Sequence, residues 1–82
     1  MNDVINENDM AHHVRMTLSE YFRDLDGEAP CADLYDMVVE CVEKPLLEIV
    51  LERVKGNQTR AAEMLGINRN TLRKKMQRHG LL

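Results

Sequence analysis

Arg69 and Arg73 stand four residues apart, Lys74 and Lys75 follow directly, and Asn68 and Asn70 flank the first arginine. A guanidinium offers two parallel N–H groups that match the paired acceptors on a guanine edge, and an asparagine amide can pair with adenine. Lysine ammonium groups and threonine hydroxyls suit phosphate oxygens, which fix register without reading sequence. The N-terminal half of a helix inserted in a groove points deepest. On that division Asn68, Arg69 and Arg73 are candidate base readers, and Thr71, Lys74 and Lys75 are candidate phosphate contacts. A second polar set, Asn57, Gln58, Thr59 and Arg60, lies just upstream. At a helix start, its free amides and the helix dipole attract a phosphate.

Outward Arg and Lys on a helix are usually just a solvated face, so the rest of the chain must decide. Residues Lys55 to Leu82 hold seven basic residues and one acidic one, whereas the first 54 hold thirteen acidic and four basic. The net charge of −3 therefore hides a cationic tail on an acidic body. A one-signed tail of this kind is built to meet a polyanion.

The elements that must position these groups are helical throughout. From about Asp9, a fair N-cap, Met10, Val14, Leu18, Phe22 (or Tyr21) and Leu25 recur at three- and four-residue steps, and Gly27 ends the run. Gly27 to Ala32 reads as a loop. Leu34, Met37, Val38, Cys41, Val42, Pro45, Leu46, Ile49, Val50 and Val54 predict one long amphipathic helix from near Asp33 to Lys55. Pro45 cannot donate its backbone hydrogen bond, so a kink is expected there. One kinked helix is preferred to two helices broken at Lys44–Pro45, because the periodicity continues in phase across the proline. Val39, Leu47 and Leu51 add apolar surface outside the main stripe, which implies a partner that covers it.

Downstream, Gly56 ends the long helix and Asn57 caps the next, Gln58 to Leu65, with Ala61, Ala62 and Leu65 inward. Gly66 supplies a left-handed turn, Ile67 plugs the core, and Asn68 caps the last helix, Arg69 to about Arg78. Leu72 and Met76 face inward there, leaving Arg69, Asn70, Arg73, Lys74 and Gln77 outside. Gly80 ends that helix, and Leu81–Leu82 tuck back onto the core. Two short helices on a tight glycine turn make a helix-turn-helix. The class is all-α: an acidic, disordered stretch over residues 1–8, long helices over 9–55, and the helix-turn-helix over 56–82.

Composition excludes several other classes. Eighty-two residues make one small domain near the lower limit of what a lone core supports, and Tyr21, Phe22 and Tyr35 are its only Phe, Tyr or Trp residues. Its apolar content is mostly Leu, Val, Met and Ala, and the six methionines read as core filler. Cys31 and Cys41 are too few for a disulfide framework and read as reduced, packed thiols. Adjacent His12 and His13 point in different directions on a helix, so no metal is expected. Asp24, Asp26, Glu28, Asp33 and Asp36 cluster near the first loop without a nucleophile or a glycine loop beside them. They read as solvated charge that repels a polyanion from the wrong face. No catalytic residue, cofactor or small-molecule ligand is expected. No signal peptide is visible, and no run approaches the roughly 18 apolar residues that cross a bilayer, so the expected location is cytoplasmic.

The run GNQTRAA…GIN…TLRKK is specific enough to place the chain among known proteins. Residues 43 to 82 closely resemble the C-terminal part of the Fis family of bacterial nucleoid-associated DNA-binding proteins, and a weaker likeness continues through LSEYFRDLDG and DLYDMVVECV, so that it covers roughly residues 11 to 82. The resemblance implies a homodimer of four-helix subunits whose first two helices intertwine, with the last two projecting as the DNA-binding unit. On this reading Val38, Val39, Val42, Leu46, Leu47, Val50 and Leu51 form the subunit contact. It also implies DNA bending by two closely spaced recognition helices, transcriptional regulation, a place on the bacterial nucleoid, and RNA polymerase as a further candidate partner. Carried over by position, the family's DNA contacts fall on Asn57, Thr59, Arg60, Asn68, Arg69, Thr71, Arg73 and Lys74, each matched in type. Asn70 departs from the glycine of the best-known members. Residues 1–10 are also too short for those members' N-terminal β-hairpin arm, so stimulation of DNA inversion is not expected. Two rival readings are a C-terminal module of an enhancer-binding activator, against which Met1 and the complete first two helices speak, and a helical adaptor that docks on an acidic protein.

Overall fold

Residues 7–30 and 32–82 are described by a computed structural model. Among them the chain forms four α-helices and no strand: α1 (Glu7–Leu25), α2 (Leu34–Arg53), α3 (Gln58–Leu65) and α4 (Arg69–Arg78). The chain divides into two compact units, Met1–Leu34 and Tyr35–Leu82.

In the first unit, α1 starts at Glu7, two residues before the expected Asp9, so Glu7 and Asn8 belong to the helix. The expectation of disorder over residues 1–6 lies outside the described residues. Val14, Leu18, Tyr21 and Leu25 are half-buried at helical spacing, whereas Met10, Met16 and Phe22 are exposed. Tyr21 rather than Phe22 therefore continues the stripe. The chain leaves the helix through Asp26 and Gly27, both with positive φ. His12 and His13 do not diverge as expected; their exposed rings meet edge to face with centroids 5.8 Å apart.

In the second unit the core is Leu47, Val50 and Val54 from α2 and the turn after it, Ala61 and Ala62 from α3, and Leu72 and Met76 from α4. Leu51, Leu65, Ile67 and Leu81 pack against its edge. Ala61 and Ala62 carry only a methyl group each, which lets α3 lie close to its neighbours. α2 is one helix through Pro45, as the in-phase periodicity predicts.

The inward face of α2 is shifted from the expected one: Val50 and Val54 of the predicted stripe are buried, and Leu47 and Leu51, placed outside that stripe, join them. Leu47 is 1% exposed, and Leu47, Val50, Leu51 and Val54 form the i, i+3, i+4, i+7 set that meets α3 and α4. Leu47 and Val50, assigned above to the subunit contact, are buried in the core of their own chain. Val39, Val42, Leu46 and Ile49, most of them assigned to the main stripe, are exposed instead, Ile49 at 63%. Both sets recur at helical spacing, so periodicity reveals two apolar faces without ranking them. Cys41 corrects a smaller expectation: it is a free thiol but exposed rather than packed, while Cys31 lies outside the described residues.

Local chemistry fixes the helix ends. The Asn57 side chain accepts from the Arg60 amide at 3.1 Å, and the Asn68 side chain accepts from the Asn70 amide at 2.7 Å, so both act as N-caps. Gly66 takes φ 73°, ψ 29°, the left-handed conformation that glycine adopts without penalty. Each later helix closes with a reverse bond of Schellman type: Gly56 N to Leu51 O at 2.8 Å, Ile67 N to Ala62 O at 3.0 Å, and Leu81 N to Met76 O at 2.8 Å. The residues that follow the last two turns, Ile67 and Leu81, fold back onto the core as that motif requires, whereas Leu82 stays exposed.

Candidate nucleic-acid interface

The first half of the site is the start of α3. The first bond inside that helix is Ala61 N to Asn57 O at 2.9 Å, so the amides of Gln58 and Thr59 precede the hydrogen-bonded ladder. Asn57 points its Oδ1 at the Arg60 amide, which leaves Nδ2 to face an incoming group, and Nδ2 can only donate. Thr59 and Arg60 are exposed beside it. Donors, a partial positive charge and a guanidinium in one place suit an anion.

The second half is the outer side of α4. Leu72, fully buried, and Met76 clamp the inner side, and Arg69, Asn70, Thr71, Arg73 and Lys74 are all exposed. Asn68 holds the Asn70 amide through its Oδ1, so its free Nδ2 is again a donor. An adenine edge needs an acceptor as well as a donor, so a capping Asn68 suits a phosphate or a guanine acceptor better than adenine. Among the described residues, no carboxylate stands within ion-pair distance of Arg60, Arg69, Arg73 or Lys74, and their charge is unneutralised.

One bond joins the halves. Arg73 Nη1 donates to Gln58 Oε1 at 2.7 Å, across fifteen residues of sequence. It brings the first residue of α3 against the middle of α4, so the two polar sets adjoin on one surface.

Lys75 is placed differently. Its Nζ lies 2.6 Å from Glu43 Oε2 on α2, and its side chain is only 29% exposed. The other oxygen of Glu43 lies 2.8 Å from His79 Nε2, in a pocket where Glu43 is 14% and His79 7% exposed. An ionised carboxylate oxygen only accepts, so His79 Nε2 carries the hydrogen. The Lys75 hydrogen bond, with a smaller contribution from His79, holds the Glu43 carboxyl below its ordinary range, against the opposing effect of burial. This cluster ties α4 to α2 and turns Lys75 away from the outer face where a phosphate contact was expected. Arg78 and Glu40 approach to 3.9 Å on the exposed rim, a pair worth little.

Residues 38–79 match the model of the family described as bacterial regulatory protein, Fis family. The chain belongs to the Fis family. It is 54% identical over 78 residues to a putative Fis-like DNA-binding protein of Ralstonia nicotianae, covering 95% of this chain and 100% of that protein. With a putative Fis-like DNA-binding protein of Neisseria meningitidis it shares 55% identity over 74 residues, 90% of this chain and 92% of the relative. With the DNA-binding protein Fis of Proteus mirabilis it shares 44% over 79 residues, 96% of this chain and 80% of that protein.

This Fis-family chain thus has an all-α fold with a C-terminal helix-turn-helix. Asn57, Thr59, Arg60, Asn68, Arg69, Thr71, Arg73 and Lys74 all lie on α3, α4 or their caps and are exposed, and only Lys75 of the anticipated set is turned inward. Asn70, the departure from the best-known Fis members, is exposed and gives its amide to the Asn68 cap. Sequence reasoning overlooked Gln58 as a partner of Arg73, and Glu43 and His79 as partners of Lys75. Separations of 15, 32 and 36 residues leave no periodic signal for such pairs. Among the described residues, no helix is long and apolar enough to cross a membrane.

Proposed function

We propose that the chain is a DNA-binding regulator that acts as a homodimer and bends duplex DNA. Arg69 and Arg73 read base edges, while Asn57, Thr59, Arg60, Asn68, Thr71 and Lys74 hold phosphates. The observation that carries this reading is the Arg73–Gln58 bond, which sets the α3 start beside an α4 face of unneutralised cations. The names of the relatives support DNA as the ligand.

Tyr35, Val39, Val42, Leu46 and Ile49 follow one another at alternating steps of four and three along α2, and all are exposed. That alternation is the seam spacing of paired helices, which supports a second copy as the cover. In the dimer two copies of α4 approach one duplex, and the DNA curves to touch both. Discrimination then comes partly from how easily the DNA between half-sites deforms. The protein works on the bacterial nucleoid, with RNA polymerase as a candidate partner, and it needs neither a cofactor nor a catalytic group.

Fluorescence anisotropy with a labelled duplex, repeated over a salt series, tests the reading. Binding should weaken linearly in log K against log salt, and Arg69→Ala should lose about 1–3 kcal/mol on a preferred site without loss of helicity. Affinity that ignores salt, or wild-type binding by the variant, rules this surface out.

A further inference from the structure

We infer that Gln58 is a positioning residue for sequence discrimination: it orients the Arg73 guanidinium through a neutral hydrogen bond. The inference rests on Arg73 reading a base. Both ends of the bond stand on fixed backbone. Gln58 is the first residue of α3, next to an Asn57 cap already bonded to Arg60 N, and it is half-buried. Arg73 follows Leu72, which is completely buried. The 2.7 Å bond therefore connects two anchored points and restricts a side chain that is otherwise free to sample many rotamers.

Which nitrogen is engaged matters. Arg73 gives one Nη1 hydrogen to Gln58, so the edge formed by Nε and Nη2 keeps both of its parallel donors. That edge suffices for the paired acceptors of guanine. The chemistry of the acceptor matters as well. An amide oxygen leaves the full positive charge on the guanidinium, whereas a carboxylate would neutralise it. Two residues along the helix the opposite choice is made, where Lys75 pairs with the Glu43 carboxylate. α4 thus holds one cation by a neutral partner on its outer side and one by an anionic partner on its inner side.

A double-mutant cycle tests this, with affinities measured for a preferred duplex, selected from a random pool, and for the duplex whose guanine substitution weakens wild-type binding most. Gln58→Leu removes the acceptor and should lower the preferred-to-altered ratio about three- to tenfold, the effect of releasing one long side chain, with thermal melting unchanged. In an Arg73→Ala background the same change should leave the ratio where Arg73→Ala alone has put it. Gln58→Glu keeps an acceptor, so it should restore the ratio while weakening binding to both duplexes. If Gln58→Leu leaves the ratio intact, or lowers it equally in both backgrounds, Gln58 does not act through Arg73 and the inference fails alone. If Arg73→Ala changes neither duplex, the reading of Arg73 as a base contact fails, and this inference fails with it.

Discussion

Helix α2 has two apolar sides with different fates. The side built from Leu47, Val50, Leu51 and Val54 is closed over by α3 and α4 of the same chain. The side built from Tyr35, Val39, Val42, Leu46 and Ile49 faces outward. Leu47 and Ile49 are two residues apart and similar in volume and hydrophobicity, yet one is 1% and the other 63% exposed. Composition cannot separate them; helix phase puts them on different sides, and the packing of α3 and α4 decides which side is buried. The inner side makes the helix-turn-helix a unit with its own core. The outer side is surface whose apolar character serves nothing within the unit, and the proposed second copy gives it a use.

Substitutions on the two sides should therefore break different things. Leu47→Ala empties a fully enclosed site and should destabilise the second unit by about 2–5 kcal/mol, read from denaturant unfolding. Ile49→Asp should leave the helicity of that unit close to wild type but move the chain to a single copy in sedimentation, by at least about tenfold in dissociation constant, because a charge enters an apolar seam. A dimer that survives Ile49→Asp would place the contact elsewhere. A Leu47→Ala protein with unaltered unfolding would mean that the two sides have been exchanged.

The inner side of α2 also carries a part-buried charge, and the next prediction concerns it. Glu43 is held below its ordinary carboxyl range mainly by Lys75. A group whose folded pKa is depressed adds stability above its unfolded pKa and loses it as pH falls through the folded value. Glu43→Gln keeps the shape but removes the charge. It should cost about 1–3 kcal/mol near neutrality, a cost that shrinks as the wild-type carboxyl protonates in acid. Unfolding curves of both proteins across the acid range check this. A constant gap at every pH would show that Glu43 acts by packing rather than by charge.

Much of this architecture is legible in the chain because its causes are local. Asn57, Gly66 and Asn68 each determine the backbone within a few residues of themselves, so α3 and α4 fall at their expected boundaries. The exposed polar set is equally readable, since Leu72 and Met76 orient α4 and the other residues follow from the pitch. What could not be read depends on how helices cross. Two apolar stripes on α2 satisfy the same periodicity, and only the packing of α3 and α4 selects Leu47 over Ile49. The same crossing takes Lys75 out of the cationic face, because Glu43 stands on the side of α2 that α4 covers.

Lys74 and Lys75 give the smallest and finest form of the comparison, being adjacent on α4 and identical in chemistry. Lys74 is exposed with no carboxylate near it among the described residues, whereas Lys75 is engaged by Glu43 at 2.6 Å. A cation that neutralises a phosphate on binding releases a counterion, and one already paired inside the protein does not. Lys74→Ala should therefore weaken binding to all duplexes alike and flatten the log–log salt slope by about one unit, with melting unchanged. Lys75→Ala should leave that slope at its wild-type value and instead lower the melting temperature, because Glu43 loses its principal partner in a largely buried pocket. Anisotropy titrations at several salt concentrations, paired with thermal melts of both variants, read the two effects separately. Equal losses of slope from the two substitutions would mean that Lys75 leaves Glu43 to reach the DNA, and that the inner side of α4 is less closed than its hydrogen bonds imply.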